Sequence, residues 1–289
     1  MITWPLKLVE DLARHRAILF LGSGVSKNSS STVGPTRHPP TWEEFLRVAL
    51  QRCTTSKRPI QRLLNEGDYL TACEVLKYKL DDQWNDLVHD QFVQPGFSPA
   101  DIHKDIYKLD SRIVLTQNVD KIYDTFALSE SVGTVYVKDY SRADIALVVR
   151  GDKYCVLKAH GTVDTPDEMI FTREEYSRAR VKHSAFYDVL DALTVTHTLL
   201  FIGCGLSDPD VQIMLERHAY KFPGSRPHYM IAPAGSLHSD VELSLKRNLN
   251  IRFLFYKSQD QHKELSDSLH DLVGQVEIQR GKLSVTRDW

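Results

Sequence analysis

A doubly wound, mainly parallel α/β sheet is the fold this sequence predicts, and three observations predict it. Short apolar runs of buried-strand type alternate with stretches of helical periodicity along the whole chain. Two of those runs, residues 17–21 and 199–202, end in glycine turns, Gly22-Ser23-Gly24 and Gly203-Cys204-Gly205. At 289 residues, with 42% hydrophobic and 26% charged residues, the chain can bury a full core and has an ordinary globular composition.

Each element follows in order. Residues 6–16 place Leu6, Leu8, Val9, Leu12 and Ala13 at helical spacing. The strand at 17–21 then runs into Gly22-Ser23-Gly24-Val25-Ser26. Residues 28–40 are rich in Ser, Gly and Pro and form a loop, either a lid over a ligand or a plain surface connection. Thr41 caps a helix holding Trp42, Phe45, Leu46 and Val48, and helical patterns continue at 58–64, 69–80 and 83–92. A further helix runs from Ser98-Pro99 to Leu109. A helical insertion over about residues 41–110 is therefore expected inside one domain spanning 1–289. The acidic residue that often binds a ribose about twenty positions past the first glycines is missing; Glu43 and Glu44 fall there, but on a helix.

A strand at 112–115 leads straight into Thr116-Gln117-Asn118-Val119-Asp120, followed by a helix with Ile122, Tyr123 and Phe126. Strands at 134–137 and 154–157 come next, the second ending at Lys158-Ala159-His160-Gly161. A small insertion at about 164–183 precedes a helix at 185–195 and the strand at 199–202. After that strand, Ser207 or Asp208 caps a helix and Pro209 takes the favoured first-turn position. A helix at 211–220, a strand at 229–231, a helix at 241–249, a strand at 251–256 and a helix at 262–276 complete the chain. Residues 282–289 either fray or dock on a neighbour through Trp289.

Composition excludes several function classes. Lys+Arg of 36 against Asp+Glu of 38 creates no global basic field, so no specific nucleic-acid binding is expected. No apolar run approaches a bilayer-crossing length, and the start lacks the pattern of a secretory signal, so no direct membrane contact is expected. Cys53, Cys73, Cys155 and Cys204 are scattered without a Cys-x-x-Cys pair, which argues against a zinc ribbon or a disulfide framework. The histidines have no metal-ligand spacing, and a reducing cytoplasm is the expected compartment.

In a doubly wound sheet ligands bind at the carboxyl ends of the strands, near the point where strand order reverses. The polar and glycine-rich residues gather at those ends: Gly22-Ser23-Gly24, Gln117-Asn118-Val119-Asp120, His160-Gly161 and Gly203-Cys204-Gly205. Together they predict a nucleotide pocket in which glycine turns let backbone N–H groups approach a pyrophosphate. Asn118 either holds a water or ribose hydroxyl or caps the next helix. His160 is either a base working near neutral pH or a turn residue. Asp120 orders a ribose or a neighbouring side chain, or is a first-turn acid. Arg37 and His38 either reach a pyrophosphate or stay solvated, and Asp208 and Asp210 read as cap and dipole residues rather than metal ligands.

The ordered series Gly22-Ser23-Gly24-Val25-Ser26, Thr116-Gln117-Asn118-Val119-Asp120, His160-Gly161 and Gly203-Cys204-Gly205-Leu206-Ser207 resembles the motif series of the sirtuin superfamily over about residues 15–235. Ser23 departs from the alanine usual in the first motif. The paired cysteines of the deacylases' zinc module are absent from residues 164–180. Phe171-Thr172-Arg173-Glu174-Glu175-Tyr176 and Leu206-Ser207-Asp208-Pro209-Asp210 instead resemble the zinc-less sirtuin-like domains of bacterial antiphage systems, which hydrolyse NAD.

That resemblance implies a Rossmann-like domain that takes NAD as substrate, needs no metal and releases nicotinamide and ADP-ribose. It implies Asn118, His160 and Asp120 as catalytic residues. It also implies that Gly22, Ser23, Gly24, Ser26, Arg37, Thr116, Gln117, Gly203, Gly205, Leu206 and Ser207 bind the dinucleotide. Homo-oligomers and control by a separate protein, a HerA-type ATPase or another sensor, are implied as well. A zinc-less deacylase, an ADP-ribosyltransferase, or a non-catalytic sensor of NAD or ADP-ribose are the alternatives.

Overall fold

The computed structural model describes residues 1–34, 36–151 and 153–287. The chain begins with helix α1 (Leu6–Ala13), strand β1 (Ala17–Leu21), the single turn α2 (Ser23–Ser26) and the short strand β2 (Ser30–Ser31). Helices α3 (Trp42–Arg52), α4 (Arg58–Asn65), α5 (Tyr69–Leu80) and α6 (Gln83–Phe92) follow, then strand β3 (Phe97–Ser98) and helix α7 (Asp101–Lys108). Next come β4 (Ile113–Thr116), α8 (Ile122–Glu130), β5 (Tyr136–Asp139), α9 (Ala146–Arg150) and β6 (Cys155–Lys158). A turn of 3-10 helix (Pro166–Glu168), α10 (Arg173–Lys182), α11 (Ser184–Thr196), β7 (Thr198–Ile202) and α12 (Pro209–Lys221) lead to β8 (His228–Pro233), α13 (Ser239–Leu249), β9 (Ile251–Tyr256) and α14 (Gln259–Thr286).

Seven strands form one sheet in the order β5-β6-β4-β1-β7-β8-β9, and every pairing in it is parallel. This is the predicted Rossmann-like doubly wound sheet. Every residue of β1, β4, β6 and β7 is buried, as expected of parallel strands covered on both faces. Alternation divides β1 between two cores. Leu19 and Leu21 face α1, α7 and α14 through Leu8, Ile106 and Leu269, whereas Ile18 and Phe20 face α11 and α12 through Phe186, Leu190 and Leu215.

Helices α3 to α6 build a third core of their own, around Phe45, Trp84 and Leu76, and Val119, Met169 and Phe171 plug into it. Helix α7 does not join that cluster: its Ile102 and Ile106 pack in the layer of α1 and α14. The insertion starts at a capping box, in which Thr41 accepts from the Glu44 N–H and Glu44 accepts from the Thr41 N–H. A second capping box, Thr172 with Glu175, starts α10.

Several boundaries differ from the sequence reading: β5 lies at Tyr136–Asp139 instead of 134–137, α9 has no counterpart among the expected elements, and two further differences have clear causes. The loop at 28–40 contains β2, paired antiparallel to β3, because Ser31 and Thr32 find backbone partners in the segment after α6. The chain end does not fray from residue 282 onward. α14 continues to Thr286 because Leu283 is buried in the core with Leu272 and Val276. Asp260, Gln261 and His262 adopt left-handed backbone conformations, so the regular part of that helix begins after them. Trp289 lies outside the described residues.

Candidate active site

β4 lies on one side of β1 and β7 on the other, so strand order reverses at β1. A cavity of about 350 Å³ opens at the carboxyl ends of these strands. Its polar end is lined by Gly22, Ser23, Gln117, Asn118, His160 and Asp208, and its apolar wall by Trp42, Leu70, Phe92, Ile170 and Phe171. The helical insertion and the segment before α10 supply that wall, and Trp42 stacks on Phe171 at 5.0 Å.

The two glycine turns form the cavity floor by interlocking. Gly22 N–H donates to the Ile202 carbonyl at 3.0 Å and Gly24 N–H donates to the Gly203 carbonyl at 3.0 Å. A β-carbon on Gly22 would lie 2.4 Å from the Gly203 oxygen, and Gly203 itself has φ +65° with Val25 N in the way. Ser23 and Gly205 line the cavity, while Gly24 lies beneath it against Gly203.

Asn118 is fixed by three bonds. Its N–H donates to Thr116 Oγ1 at 3.1 Å, and its side-chain NH₂ donates to the Gly22 carbonyl and to Ser26 Oγ, each at 2.9 Å. Ser26 Oγ donates onward to Asp120 Oδ2 at 2.8 Å. Both amide hydrogens are thereby used, and Oδ1 remains as an acceptor for whatever fills the cavity. Thr116 and Ser26 thus act beneath the site, holding Asn118.

Asp120 has a supporting place as well. Its second oxygen accepts from Ile122 N–H at 3.0 Å, and the residue is 5% exposed. With both oxygens engaged, its carboxylate anchors the Asn118–Ser26 chain, and ordering a neighbour is the part of its expected role that its surroundings favour. Lys158, also buried, donates to the Asp120 carbonyl at 2.5 Å and lies 3.3 Å from Asp124, whose carboxyl burial pushes up despite that ammonium.

His160 follows β6, and Gly161 turns the chain there with φ +79°. Nε2 of His160 lies 3.2 Å from Asp208 Oδ2 and 3.3 Å from the Tyr176 hydroxyl. That hydroxyl donates to the same Asp208 oxygen at 2.6 Å. Asp208 Oδ1 meanwhile caps α12 by accepting from Val211 N–H at 2.9 Å. Burial acts to raise the Asp208 carboxyl, but His160, Tyr176 and the Val211 N–H together hold it below the ordinary aspartate value. Burial and the Asp208 charge push the Tyr176 phenol far above its usual range. Asp210 pairs with Arg180 and accepts from the Tyr187 hydroxyl.

Five residues expected to bind the dinucleotide do not line the cavity: Gly24, Ser26 and Thr116 lie beneath it, and Arg37 and Leu206 are turned elsewhere. Arg37 Nη2 donates to the Asp90 carbonyl at 2.6 Å, because its loop is held against the segment after α6. Leu206 turns toward the core of the α11 and α12 layer, and its carbonyl accepts from Gln212. Arg173, which the sequence reading did not single out as a ligand residue, is the one arginine or lysine among the described cavity-lining residues, 3.3 Å from Asp68. Tyr176 and Asp208 were also missed as site residues; their signal lay in the Phe171-to-Tyr176 and Ser207-Asp208-Pro209 stretches.

The model of the SIR2-like domain matches residues 112–254, a span that holds Asn118, His160, Tyr176 and Asp208. Residues 112–254 are therefore similar to a SIR2-like domain. Its curated relatives include the NAD(+) hydrolase ThsA of Bacillus cereus (strain MSX-D12), 27% identical over 252 residues that make up 85% of this chain and 49% of the relative. The NAD(+) hydrolase ThsA of Acinetobacter baumannii (strain 532279) is 23% identical over 78% of this chain and 44% of its own length. The protein of that name from Enterococcus faecium is 22% identical over 77% of this chain and 44% of its own. The chain spans about half the length of these relatives. Among the described residues, no group of three or more His, Cys, Asp or Glu side chains is placed to hold a metal ion. No helix of the described residues is long and apolar enough to cross a membrane.

Proposed function

We propose that this protein hydrolyses NAD, breaking the bond between nicotinamide and ribose to give ADP-ribose. The observation that carries the proposal is the pairing, in one switch-point cavity, of the free Asn118 Oδ1 acceptor with the His160 imidazole. Two acceptors suit a water molecule, which has two hydrogens to donate and a lone pair left for the ribose carbon. As the glycosidic bond breaks, its electron pair neutralises the pyridinium nitrogen and nicotinamide leaves. Water adds to the resulting oxocarbenium-like carbon, and its proton passes to His160. Gly22 and Ser23 supply a close backbone approach for the pyrophosphate, and the apolar wall gives a ring a dry surface. The names of the curated relatives support the same reaction.

We further infer an antiphage effector role of the abortive-infection kind, with the activity controlled by a partner protein such as a HerA-type ATPase and the SIR2-like domain working in an oligomer. These inferences rest on the sirtuin-like resemblance. The test is product analysis by chromatography after incubating the purified protein with NAD, alone and with that partner. Nicotinamide and ADP-ribose are expected from the wild type. Asn118→Ala and His160→Ala should each lose roughly 10²-fold or more of that rate. Bound NAD with no release under either condition would leave a sensor in place of an enzyme.

A further inference from the structure

His160 Nε2 is flanked by two oxygens, and hydrogen bookkeeping assigns what each offers it. Asp208 Oδ2 is 3.2 Å away and belongs to an ionised carboxylate, which only accepts. The Tyr176 oxygen is 3.3 Å away, and its one proton is spent on Asp208 at 2.6 Å, so it also turns a lone pair toward the ring. The imidazole and phenol meet edge to face at 5.3 Å and 82°, which fixes the ring between them. An unprotonated Nε2 would face two lone pairs. A protonated Nε2 faces two acceptors.

We propose that Asp208 and Tyr176 are positioning residues that keep the proton of neutral His160 on Nε2, leaving Nδ1 as the proton-accepting atom of the site. Nδ1 has no hydrogen-bond partner among the described residues, while His160 lines the cavity. The arrangement is built from three elements: His160 from the end of β6, Tyr176 from α10 and Asp208 from the cap of α12. The other ionisable groups beside it, Asp210, Arg180 and Tyr187, are tied to one another and do not reach the ring. The catalytic consequence rests on the hydrolase reading above, but the tautomer does not.

The experiment is nitrogen-15 NMR of protein labelled at histidine, with the His160 signals assigned by their loss in His160→Gln. At pH 8 the wild type should show a protonated, pyrrole-type Nε2 and an unprotonated, pyridine-type Nδ1. The reverse tautomer, or a doubly protonated ring, would overturn the proposal whatever the enzyme does to NAD. In Asp208→Asn an amide oxygen can still cap α12, which turns the NH₂ toward His160. That variant should move the proton to Nδ1 and lower kcat roughly 10²-fold or more, with little change in KM. Tyr176→Phe keeps the carboxylate and should keep the wild-type tautomer, losing less than about tenfold. A changed tautomer in Tyr176→Phe alone would remove Asp208 from the role. Wild-type tautomer and normal turnover in a folded Asp208→Asn would remove it as well. Absence of NAD cleavage in the wild type, with the Nε2–H tautomer present, would overturn only the hydrolase reading.

Discussion

Gly22 and Gly203 face each other where backbone meets backbone. A methyl group on Gly22 meets the Gly203 oxygen at 2.4 Å and Cys204 Cα at 2.7 Å, and neither is the movable end of a side chain. Gly22→Ala should therefore destabilise the protein by about 1–3 kcal/mol, as overpacking does in closed cores. Gly203→Ala should cost at least as much, since φ +65° adds backbone strain. Gly205 has only Ser207 Oγ within reach, at 3.7 Å, so Gly205→Ala serves as the control and should change stability by less than about 0.5 kcal/mol. Urea unfolding of the three variants decides this, and equal costs at Gly22 and Gly205 would refute it. The same scale shows what a reader of the sequence can see. Asn118 and His160 stand at strand ends, where position alone signals ligand binding. Asp208 and Tyr176 do not, because their meaning is a 2.6 Å contact between residues 32 apart, and no local pattern encodes it.

Helix α10 holds the apolar wall of the cavity against the insertion, and one carboxylate fastens it. Glu175 accepts from the N–H groups of Phe171 and Thr172 at 2.8 and 2.9 Å, and pairs with Lys77 of α5 at 2.5 Å. Glu175→Ala would strand two backbone donors and a partly buried ammonium, a loss of about 1–3 kcal/mol. Glu175→Gln keeps an acceptor and should lose less than half of that. Hydrogen exchange should show faster amide exchange confined to α10 and the residues before it in Glu175→Ala. Uniform protection across the protein would contradict that account. Because Phe171 and Tyr176 line the cavity, this variant should also raise KM for NAD if the proposed hydrolysis is the reaction. Most elements were legible from periodicity and caps: Thr41, Asp208 and Pro209 marked helix starts where the structure has them. The pairing of β2 with β3 was not, since two-residue strands carry no periodicity and form only when the insertion brings Phe97 beside Ser31. The extension of α14 to Thr286 was missed for a related reason, because it depends on a distant core receiving Leu283.

The whole molecule carries a pH dependence set by histidines outside the cavity. Burial lowers His103 to about 4 and His228 to about 3, the latter helped by the nearby His218. Each also accepts a backbone N–H at Nδ1, from Ala100 and from Leu199, which protonation of that atom would break. In the unfolded chain both would titrate near 6.5. Below that value the unfolded state takes up protons that the folded state refuses, so stability falls as the pH drops from about 6.5 toward 4 for His103 and 3 for His228. Between pH 7 and 5 each histidine removes about 2 kcal/mol, on the order of 4 kcal/mol together. His197 and His218, also lowered by burial, act in the same direction. Asp124 and Asp210 oppose them: burial raises both carboxyls, so they favour the folded state at low pH and lose that contribution as pH rises. Asp208 is held low, and its contribution disappears only below the ordinary carboxylate range, outside this window. Equilibrium unfolding at pH 7 and pH 5 should therefore show a large loss at the lower pH. His228→Asn keeps an acceptor for the Leu199 N–H without a group that titrates, and should remove about half of that slope. A slope unchanged by His228→Asn would place the acid sensitivity in the carboxylates instead.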